Sequence, residues 1–480
     1  MDRSGGEQPR ISFDGRVLVV LNGEIYNHVE LRRELEANGA RFATSSDTEV
    51  LANGLAMWGT KIIRRIDGMY AFICIDLWTG DFVAARDPFG VKPLYLTQLP
   101  DGYLFCSEMK PLLELVEDAD VLFLPPGYCM TSKGLFRYPA EQDPHPTRGI
   151  EDLDASLRAA VHSRIPPDLP LALMFSGGLD STLIAHYARE MKPDLAAFFL
   201  GTRHAADYES AIDCADRMSL DLEVVDLEPD SMADTGALND VVATVETFEP
   251  SVVRDAFCNM RLFQRIHERG YRVALSGEGA DELFGGYKPI EVGYQLGEEA
   301  GNAIREQCIG LMARTNLQRL DRCGMHFLVE AREPYLNRTI VSHARSLTGR
   351  ELMDTSNGRV SGKRPLKDVW RLYPDCLPDS VANRVKTPLH VGCGLDASQK
   401  ESPLADLAEQ RIRDGEFNDG KARYADFDLR TKEELLYLTM LDAVMDVRRV
   451  PHLKSRTNLY LPRQDCSDWA ARQLEDFVVA

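Results

Sequence analysis

Leu171–Ser181 reads LALMFSGGLDS and passes directly into the helical pattern TLIAHYARE. An apolar run, two glycines and a polar turn before a helix predict a strand, a tight loop and a helix start. The N–H groups of such a loop attract an anion, and glycine lets the main chain approach it closely. Asp180 is placed to hold a magnesium ion. The candidate nucleotide-binding residues are Ser176, Gly177, Gly178, Asp180 and Ser181.

The stretch contains no G-x-x-x-x-G-K-[ST], so a Walker-type NTPase is excluded. An isolated Ser-Gly-Gly is more often a simple helix cap than a binding loop. Here the strand, Asp180 and Ser181 accompany it, and together they favour nucleotide binding.

A second glycine-dense loop follows farther along the chain, in Tyr271–Tyr287, YRVALSGEGADELFGGY. It begins after a predicted strand and carries Glu278, Asp281 and Glu282. Parallel sheets place ligands at the carboxyl ends of their strands. Carboxylates this crowded need a cation or another positive partner to stay ionised. The alternative is a solvated acidic turn, but Phe284 and Tyr287 indicate partial burial.

The pattern of elements changes once along the chain. After residue 150 the apolar runs LALMF, LAAFFL, LEVVDL and YRVAL alternate with helical patterns, which predicts a parallel sheet with helices on both faces and a helical C-terminus. Before it, short strands are predicted at Arg16–Leu21, Ala71–Asp76, Asp81–Ala85 and Tyr103–Cys106, with helices at His28–Asn38 and Thr48–Trp58. The sequence predicts domains at 1–136 and 151–480, joined by a Pro-rich linker at 137–150.

Composition excludes several classes of function. The 480 residues carry 75 acidic and 55 basic side chains, a formal charge of −20, which argues against nucleic acid as a partner. Apolar runs are too short to span a bilayer, and the first residues contain no signal peptide. The ten cysteines have no zinc-type spacing. We therefore expect a cytoplasmic protein that acts on small molecules and contacts no membrane.

SGGLDS resembles the PP-loop of ATP pyrophosphatases, and YRVALSGEGADELFGGY resembles the synthetase domain of the asparagine synthetase B family. VETFEPSVVRDAF, VEAREP (329–334), KRPLKDVW, LPDSVANRVKTP and TKEELLY extend the likeness to about residue 440. It implies ATP as substrate and Mg²⁺ as cofactor, held by Asp180 and Asp281. It further implies the following roles: Glu278 deprotonates ammonia, Lys432 stabilises pyrophosphate, Ser276 and Gly277 line the nucleotide pocket, and Glu330 supports the site.

Two features of the sequence bear on which carboxylic acid is the acceptor of ammonia. The related β-lactam synthetases carry a tyrosine where this chain has Glu278, which places it with the ammonia-using branch. The family's A-S-T-P after the arginine is replaced by Asp255-Ala256-Phe257-Cys258, following Arg254. If that segment lines the acceptor pocket, aspartate is not assured as the substrate.

Residues 5–110 resemble a class II glutamine amidotransferase domain, an Ntn-type α+β sandwich. GGEQP, LNGEIYNHVELRRELEANGARFATSSDTEV and ARDPFGVKPLYL carry the likeness. Asn-Gly-Glu at 22–24 is expected to form a turn that points its donors outward. The likeness implies that Asn22 and Gly23 form an oxyanion hole, while Glu24 and Asp47 hold the α-amino group of glutamine.

The nucleophile of that family, a cysteine directly after the initiator methionine, is replaced by Asp2, and the first cysteine is Cys74, buried by pattern. Segments preceding the oxyanion motif in the family are also missing, so we expect an incomplete sandwich and no glutamine hydrolysis. A start placed too far downstream, or a fragment, is the first explanation. A genuine ammonia-using enzyme is the second.

Three functions follow. The first is an asparagine synthetase-type ligase, in which Mg-ATP adenylates the β-carboxylate of aspartate and ammonia attacks the adenylate. The second is a relative that amidates or cyclises another carboxylic acid, to which the altered segment after Arg254 points. The third is a catalytically dead regulatory homologue, which loss of the nucleophile favours and the retained Asp180, Glu278, Asp281 and Lys432 disfavour. A homodimer is expected by analogy with the family.

Overall fold

The computed structural model describes residues 5–138, 149–205, 207–227, 235–355, 360–374, 381, 387–396 and 402–455. The linker prediction and the LPDSVANRVKTP motif lie mostly outside them.

The front of the chain forms two antiparallel sheets. One has six strands in the order β1-β2-β3-β4-β8-β9, and the other has three in the order β6-β5-β7. Helices α1 and α2 bury apolar side chains such as Leu35 and Leu51 against the larger sheet. The elements are β1 (Arg10–Ile11), β2 (Val17–Ile25), α1 (His28–Ala37), α2 (Asp47–Trp58), β3 (Gly68–Asp76), β4 (Phe82–Arg86), β5 (Tyr95–Leu99), β6 (Gly102–Cys106), α3 (Met109–Leu115), β7 (Leu122–Phe123), β8 (Tyr128–Thr131) and β9 (Gly134–Arg137).

The rest of the chain is built on a five-stranded parallel sheet, in the order β12-β11-β10-β13-β14. Its strands are β10 (Ala172–Met174), β11 (Ala196–Leu200), β12 (Asp221–Val225), β13 (Val273–Leu275) and β14 (Glu330–Arg332). The helices between them are α4 (Ile150–Arg164, before β10), α5 (Leu179–Met191), α6 (Tyr208–Met218), α7 (Thr235–Val245), α8 (Pro250–Glu268), α9 (Ala280–Phe284), α10 (Lys288–Leu296), α11 (Glu298–Leu311) and α12 (Asn316–His326). This confirms the predicted parallel sheet.

The described residues after β14 are helical, as predicted, and belong to α13 (Arg338–Ser346), α14 (Gly349–Leu352), α15 (Arg364–Trp370), α16 (Leu389–Gly392), α17 (Pro403–Arg411), α18 (Asp414–Arg423) and α19 (Lys432–Asp442). Short 3₁₀ helices lie at Gly59–Arg65, Met312–Arg314, Pro334–Leu336, Ala425–Phe427, Val447–Arg449 and Pro451–Lys454. No helix in the described ranges is long and apolar enough to cross a membrane.

Some sequence predictions need correction. The sequence pattern after LEVVDL predicts a helix around Phe257–Glu268, but α8 begins at Pro250, because proline is favourable in a helix's first turn, where its missing N–H has no partner to lose. Asn22–Glu24 is not a turn: it lies inside β2 and pairs with Ala71, Tyr70 and Met69 of β3. A Cβ on Gly23, whose φ is +142°, would lie 2.0 Å from the Met69 carbonyl oxygen. The glycine therefore serves close strand packing.

Strand order decides where a ligand fits. From β10 the chain adds β11 and β12 on one side, and β13 and β14 on the other. The order thus reverses between β10 and β13, and open α/β sheets bind ligands outside the carboxyl ends of strands at such a point. Both predicted glycine loops leave these two strands.

Candidate active site

The loop after β10 is tightly packed. Gly177 has a φ of +63°, and a Cβ there would lie 2.4 Å from the Ala211 Cα. Ser210 also donates a hydrogen bond to the Gly177 carbonyl oxygen (2.9 Å). Within the loop, the Ser176 and Ser181 hydroxyls lie 3.2 Å apart, and the Ser176 N–H donates to Ser181 Oγ. The loop therefore leads into the N-terminus of α5 in a fixed shape suited to an anion.

The two glycine loops touch each other. A Cβ on Gly277 would lie 3.2 Å from Asp180 Cβ, so the loop after β13 passes directly over the start of α5. Ser276 is buried at the same place, and its hydroxyl accepts a hydrogen bond from the Glu278 N–H (3.3 Å). The structure thus brings together the nucleotide-binding residues that the sequence predicts on two separate segments.

One lysine joins the two predicted metal ligands. Lys363 Nζ lies 2.5 Å from Asp180 Oδ2 and 2.5 Å from Asp281 Oδ1. All three side chains are nearly buried, and Lys363 adopts a left-handed φ of +63° that is unusual for a side-chain-bearing residue. Lys363 is the first residue of the motif KRPLKDVW, and the family resemblance implies no role for it. The unusual backbone conformation, which positions it, is not visible in the sequence.

The aspartates fit a magnesium ion. Two carboxylates that share one buried cation have the spacing and hard oxygen donors that Mg²⁺ takes when substrate phosphates supply its remaining ligands. Among the described residues no group of three or more His, Cys, Asp or Glu side chains forms a complete metal site. A magnesium ion here would therefore depend on the nucleotide for part of its coordination.

Glu278 is held by both carboxylate oxygens. Arg319 Nη2 donates to Oε1 (2.9 Å), and Asn316 Nδ2 donates to Oε2 (2.9 Å). The same Asn316 amide donates to Glu282 Oε1 (2.8 Å), which also accepts from the Tyr287 hydroxyl (2.9 Å). Glu278 is 22% exposed, so its carboxylate is fixed and still accessible to a ligand.

Glu282 differs from its neighbour. Burial, reinforced by the nearby Glu278 and Asp281 carboxylates, raises the pKa of Glu282 to about 8. Glu282 is therefore protonated at neutral pH. A carboxyl group that burial keeps neutral is typical of acid–base sites.

This pKa predicts a pH dependence of stability. The unfolded pKa of Glu282 is near 4.5, so the folded state binds its proton more tightly, and stability falls as pH rises from about 4.5 to 8. Glu282→Gln, a neutral isostere, is expected to raise the free energy of unfolding by up to about 3 kcal/mol at pH 7 and to flatten this slope. Urea unfolding at pH 5, 7 and 8 measures the free energy of unfolding of both proteins, and Glu268→Gln, at an exposed position, is the control. An unchanged pH slope in Glu282→Gln would contradict the raised pKa.

Lys432 makes its ion pairs away from the two glycine loops. It is the first residue of α19, and its ammonium lies 2.7 Å from Asp414 and 2.8 Å from Glu409, two exposed carboxylates. Among the described residues it contacts neither glycine loop. Its role at the pyrophosphate stays a prediction.

Glu330 and Glu24 meet at the junction of the two sheet systems. Arg332 Nε donates to Glu330 (2.8 Å), and Arg332 Nη2 lies 3.0 Å from Glu24 Oε1. Burial raises the pKa of Glu24 to about 7, against the lowering effect of Arg332. Glu330 therefore lies with the predicted glutamine-binding residue rather than with Glu278.

The other predicted glutamine-binding residues are near Glu24. Asp47 Oδ2 accepts a hydrogen bond from the Ile25 N–H (3.0 Å). Asn22 Nδ2 donates weakly to Ser107 Oγ (3.4 Å). Cys74 is 5% exposed, as its pattern predicts, and burial raises the pKa of its thiol to about 12. That thiol is therefore protonated and a poor nucleophile.

Fold and site define a protein in which antiparallel sheets adjoin a parallel-sheet domain that has two glycine loops at one sheet edge. A model of the glutamine amidotransferase domain matches residues 1–126, and the asparagine synthase model matches residues 152–305 and 295–457. Because the latter matches more than half of the sequence, the chain belongs to the asparagine synthase family.

Curated relatives agree with this membership. A probable asparagine synthetase [glutamine-hydrolyzing] of Schizosaccharomyces pombe is 30% identical, over 92% of this chain and 83% of the relative. Relatives named asparagine synthetase [glutamine-hydrolyzing] from Zea mays and asparagine synthetase [glutamine-hydrolyzing] 2 from Arabidopsis thaliana are each 29% identical over 92% of this chain, covering 76% and 78% of their own lengths.

Proposed function

We propose that this protein is an ATP-dependent ligase that converts a carboxylic acid and ammonia into an amide, releasing AMP and pyrophosphate. The names of the relatives, asparagine synthetases, support this class of reaction. The observation that carries the proposal is the meeting of two glycine loops at the β10–β13 reversal point, with Asp180 and Asp281 around one cation and Glu278 beside them.

In the first step, an oxygen of the acceptor carboxylate attacks the α-phosphorus of ATP, and pyrophosphate leaves. The N–H groups of the Ser176–Ser181 loop would bind the phosphates, since the helix N-terminus and the glycines present donors to an anion. A magnesium ion held by Asp180 and Asp281 would neutralise phosphate charge. Lys363, already within 2.5 Å of both aspartates, is the described cation best placed to follow the departing pyrophosphate.

In the second step, the ammonia nitrogen attacks the carbonyl carbon of the acyl-adenylate. AMP leaves, and the amide nitrogen loses a proton. Glu278 is suited to accept this proton, because hydrogen bonds from Arg319 and Asn316 fix the position of its carboxyl group. The neighbouring neutral Glu282 does not compete for the role.

We further propose that the chain as printed uses free ammonia. Cys74 is buried with a protonated thiol, and Glu24 holds Arg332. AMP, pyrophosphate and amide formation should therefore appear with Mg-ATP, a carboxylic acid and ammonium chloride, and fall below about a hundredth of that rate with glutamine. Liquid chromatography–mass spectrometry of the amide measures the rate with ammonium chloride and the rate with glutamine.

Equal rates with glutamine and ammonium would overturn the ammonia proposal. No AMP with any carboxylic acid, in a chain that still binds ATP by calorimetry, would overturn the ligase function itself. The third hypothesis, a regulatory homologue, would then be favoured.

A further inference from the structure

A continuous set of largely buried charged side chains includes Glu278 and extends away from it; we call this set the acceptor wall. Five of its seven members lie on four helices that are distant in sequence (α8, α12, α16 and α19), Glu278 lies in the loop after β13, and Asp396 follows α16. Most of them take part in no catalytic step proposed for the site. The acceptor wall consists of Glu278, Arg319, Asp255, His390, Arg254, Asp396 and Glu433.

Within the acceptor wall, Arg319 connects Glu278 to Asp255. Its Nη2 donates to Glu278 Oε1 (2.9 Å), and its Nε lies 3.6 Å from Asp255 Oδ2. Glu278 and Asp255 therefore lie on two sides of one guanidinium group. An acceptor whose reacting carboxyl group lay at Glu278 would therefore have Asp255 nearby, on the other side of the Arg319 guanidinium group.

Asp255 is held rigidly. Its Oδ1 accepts hydrogen bonds from the His390 backbone N–H (3.0 Å) and from His390 Nδ1 (2.6 Å), and its side chain is 14% exposed. Burial by itself would raise the pKa of Asp255, but Arg319 and His390 outweigh it and lower the pKa. Asp255 is therefore an ionised carboxylate in a fixed position.

The acceptor wall has no cation in excess. Arg254 binds Glu433 through Nε (2.8 Å) and Nη2 (2.5 Å), and binds Asp396 through Nη1 (3.0 Å). Four carboxylates thus share two guanidinium groups and one imidazole. Arg319 Nη1 is buried and has no hydrogen-bond partner among the described residues. Within the described part of the acceptor wall, a second carboxylate on the acceptor would find no cation of its own.

We propose that Asp255 makes the site select an acceptor with one carboxylate and a positively charged nitrogen, and reject acids with two carboxylates such as aspartate. The inference rests on the proposed ligase function and names its substrate class. Like charges in a site of low dielectric constant repel strongly, and such repulsion gives specificity as effectively as attraction does. Asp255 stands where the sequence departs from the family's A-S-T-P, which fits a changed acceptor.

The test uses the full chain with Mg-ATP and ammonium chloride, and compares kcat/KM for AMP release with aspartate, β-alanine, 4-aminobutyrate and butyrate. We expect that either β-alanine or 4-aminobutyrate, the two amino acids with a single carboxylate, has a kcat/KM at least about tenfold higher than those of aspartate and butyrate. Asp255→Asn keeps an oxygen that can accept both His390 hydrogen bonds. It should reduce the ratio of kcat/KM for the better single-carboxylate amino acid to kcat/KM for aspartate by about tenfold or more. Asp255→Ala should act in the same direction, and Glu268→Gln, on the exposed end of α8, should leave the ratio unchanged.

Three results would overturn the inference. Aspartate could be the best acceptor of the unsubstituted chain, butyrate could equal the amino acids, or Asp255→Asn, folded by circular dichroism, could leave the ratio unchanged. AMP release in any of these cases would leave the ligase function standing. No AMP with any of the four acids would also overturn the inference, and failure with a wider set of acids would remove the ligase function as well.

Discussion

Glu278→Gln is expected to slow amide formation by about 100- to 10,000-fold, the range that loss of a general base produces. Glutamine keeps an oxygen that accepts from Arg319 or Asn316, so the side chain stays in place while its ability to take a proton is lost. Pyrophosphate release depends on the phosphate loop and should fall much less. Single-turnover measurement of pyrophosphate and amide in the same reaction separates the two steps.

Glu282→Gln is the matched control for this experiment. Both carboxyl groups bind Asn316, but Glu282 is already neutral at pH 7, so its replacement should change amide formation by less than about threefold. An equal loss in the two variants would mean that Asn316 geometry, and not proton transfer at Glu278, limits the reaction. Amide formation by Glu278→Gln at the unsubstituted rate would exclude Glu278 as the base.

The parallel sheet and its ligand-binding edge were predictable because they depend on local pattern. The strands β10, β11 and β13 are short apolar runs, and the glycines after Phe175 and Leu275 mark where the chain must turn closely at the sheet edge. Once two such loops follow parallel strands, their meeting at one edge follows from topology alone.

Contacts between distant segments were not predictable in the same way. Lys363 reaches Asp180 across 183 residues, and His390 reaches Asp255 across 135. The periodicity of the sequence does not predict such a pairing, because the pairing depends on how the helices after β14 pack over the sheet edge. The turn expected at Asn22–Glu24 failed for a related reason: strand pairing with β3 outweighs the local turn preference of Asn-Gly.

Burial of charge connects these unpredicted contacts. Lys363 with its two aspartates, and Arg254 with Glu433 and Asp396, are groups that cost free energy to bury and gain little unless their geometry is good. A fold that was selected for stability alone would do as well with apolar side chains there. Their presence around one sheet edge is better explained by ligand chemistry.

Lys363→Met should have the largest effect on stability. The substitution keeps most of the apolar stem and removes the ammonium that lies between Asp180 and Asp281, so the two carboxylates repel each other in a nearly buried site. We expect the free energy of unfolding in EDTA to fall by about 3 kcal/mol. ATP turnover should fall by about 100-fold or more, because the substitution removes the cation that we propose to act on the pyrophosphate. Urea unfolding and AMP release measure the two effects.

Magnesium distinguishes a ligand site from a structural ion pair. If the two aspartates bind the metal, MgCl₂ should restore part of the lost stability in Lys363→Met, since a bound cation stabilises the folded state by mass action and replaces the missing charge. It should do little for Lys288→Met, which removes an exposed partner of Glu291 and should cost less than about 1 kcal/mol. Destabilisation of Lys363→Met that MgCl₂ does not relieve would mean that these aspartates serve Lys363 alone. The phosphate charge would then have to be neutralised by other residues.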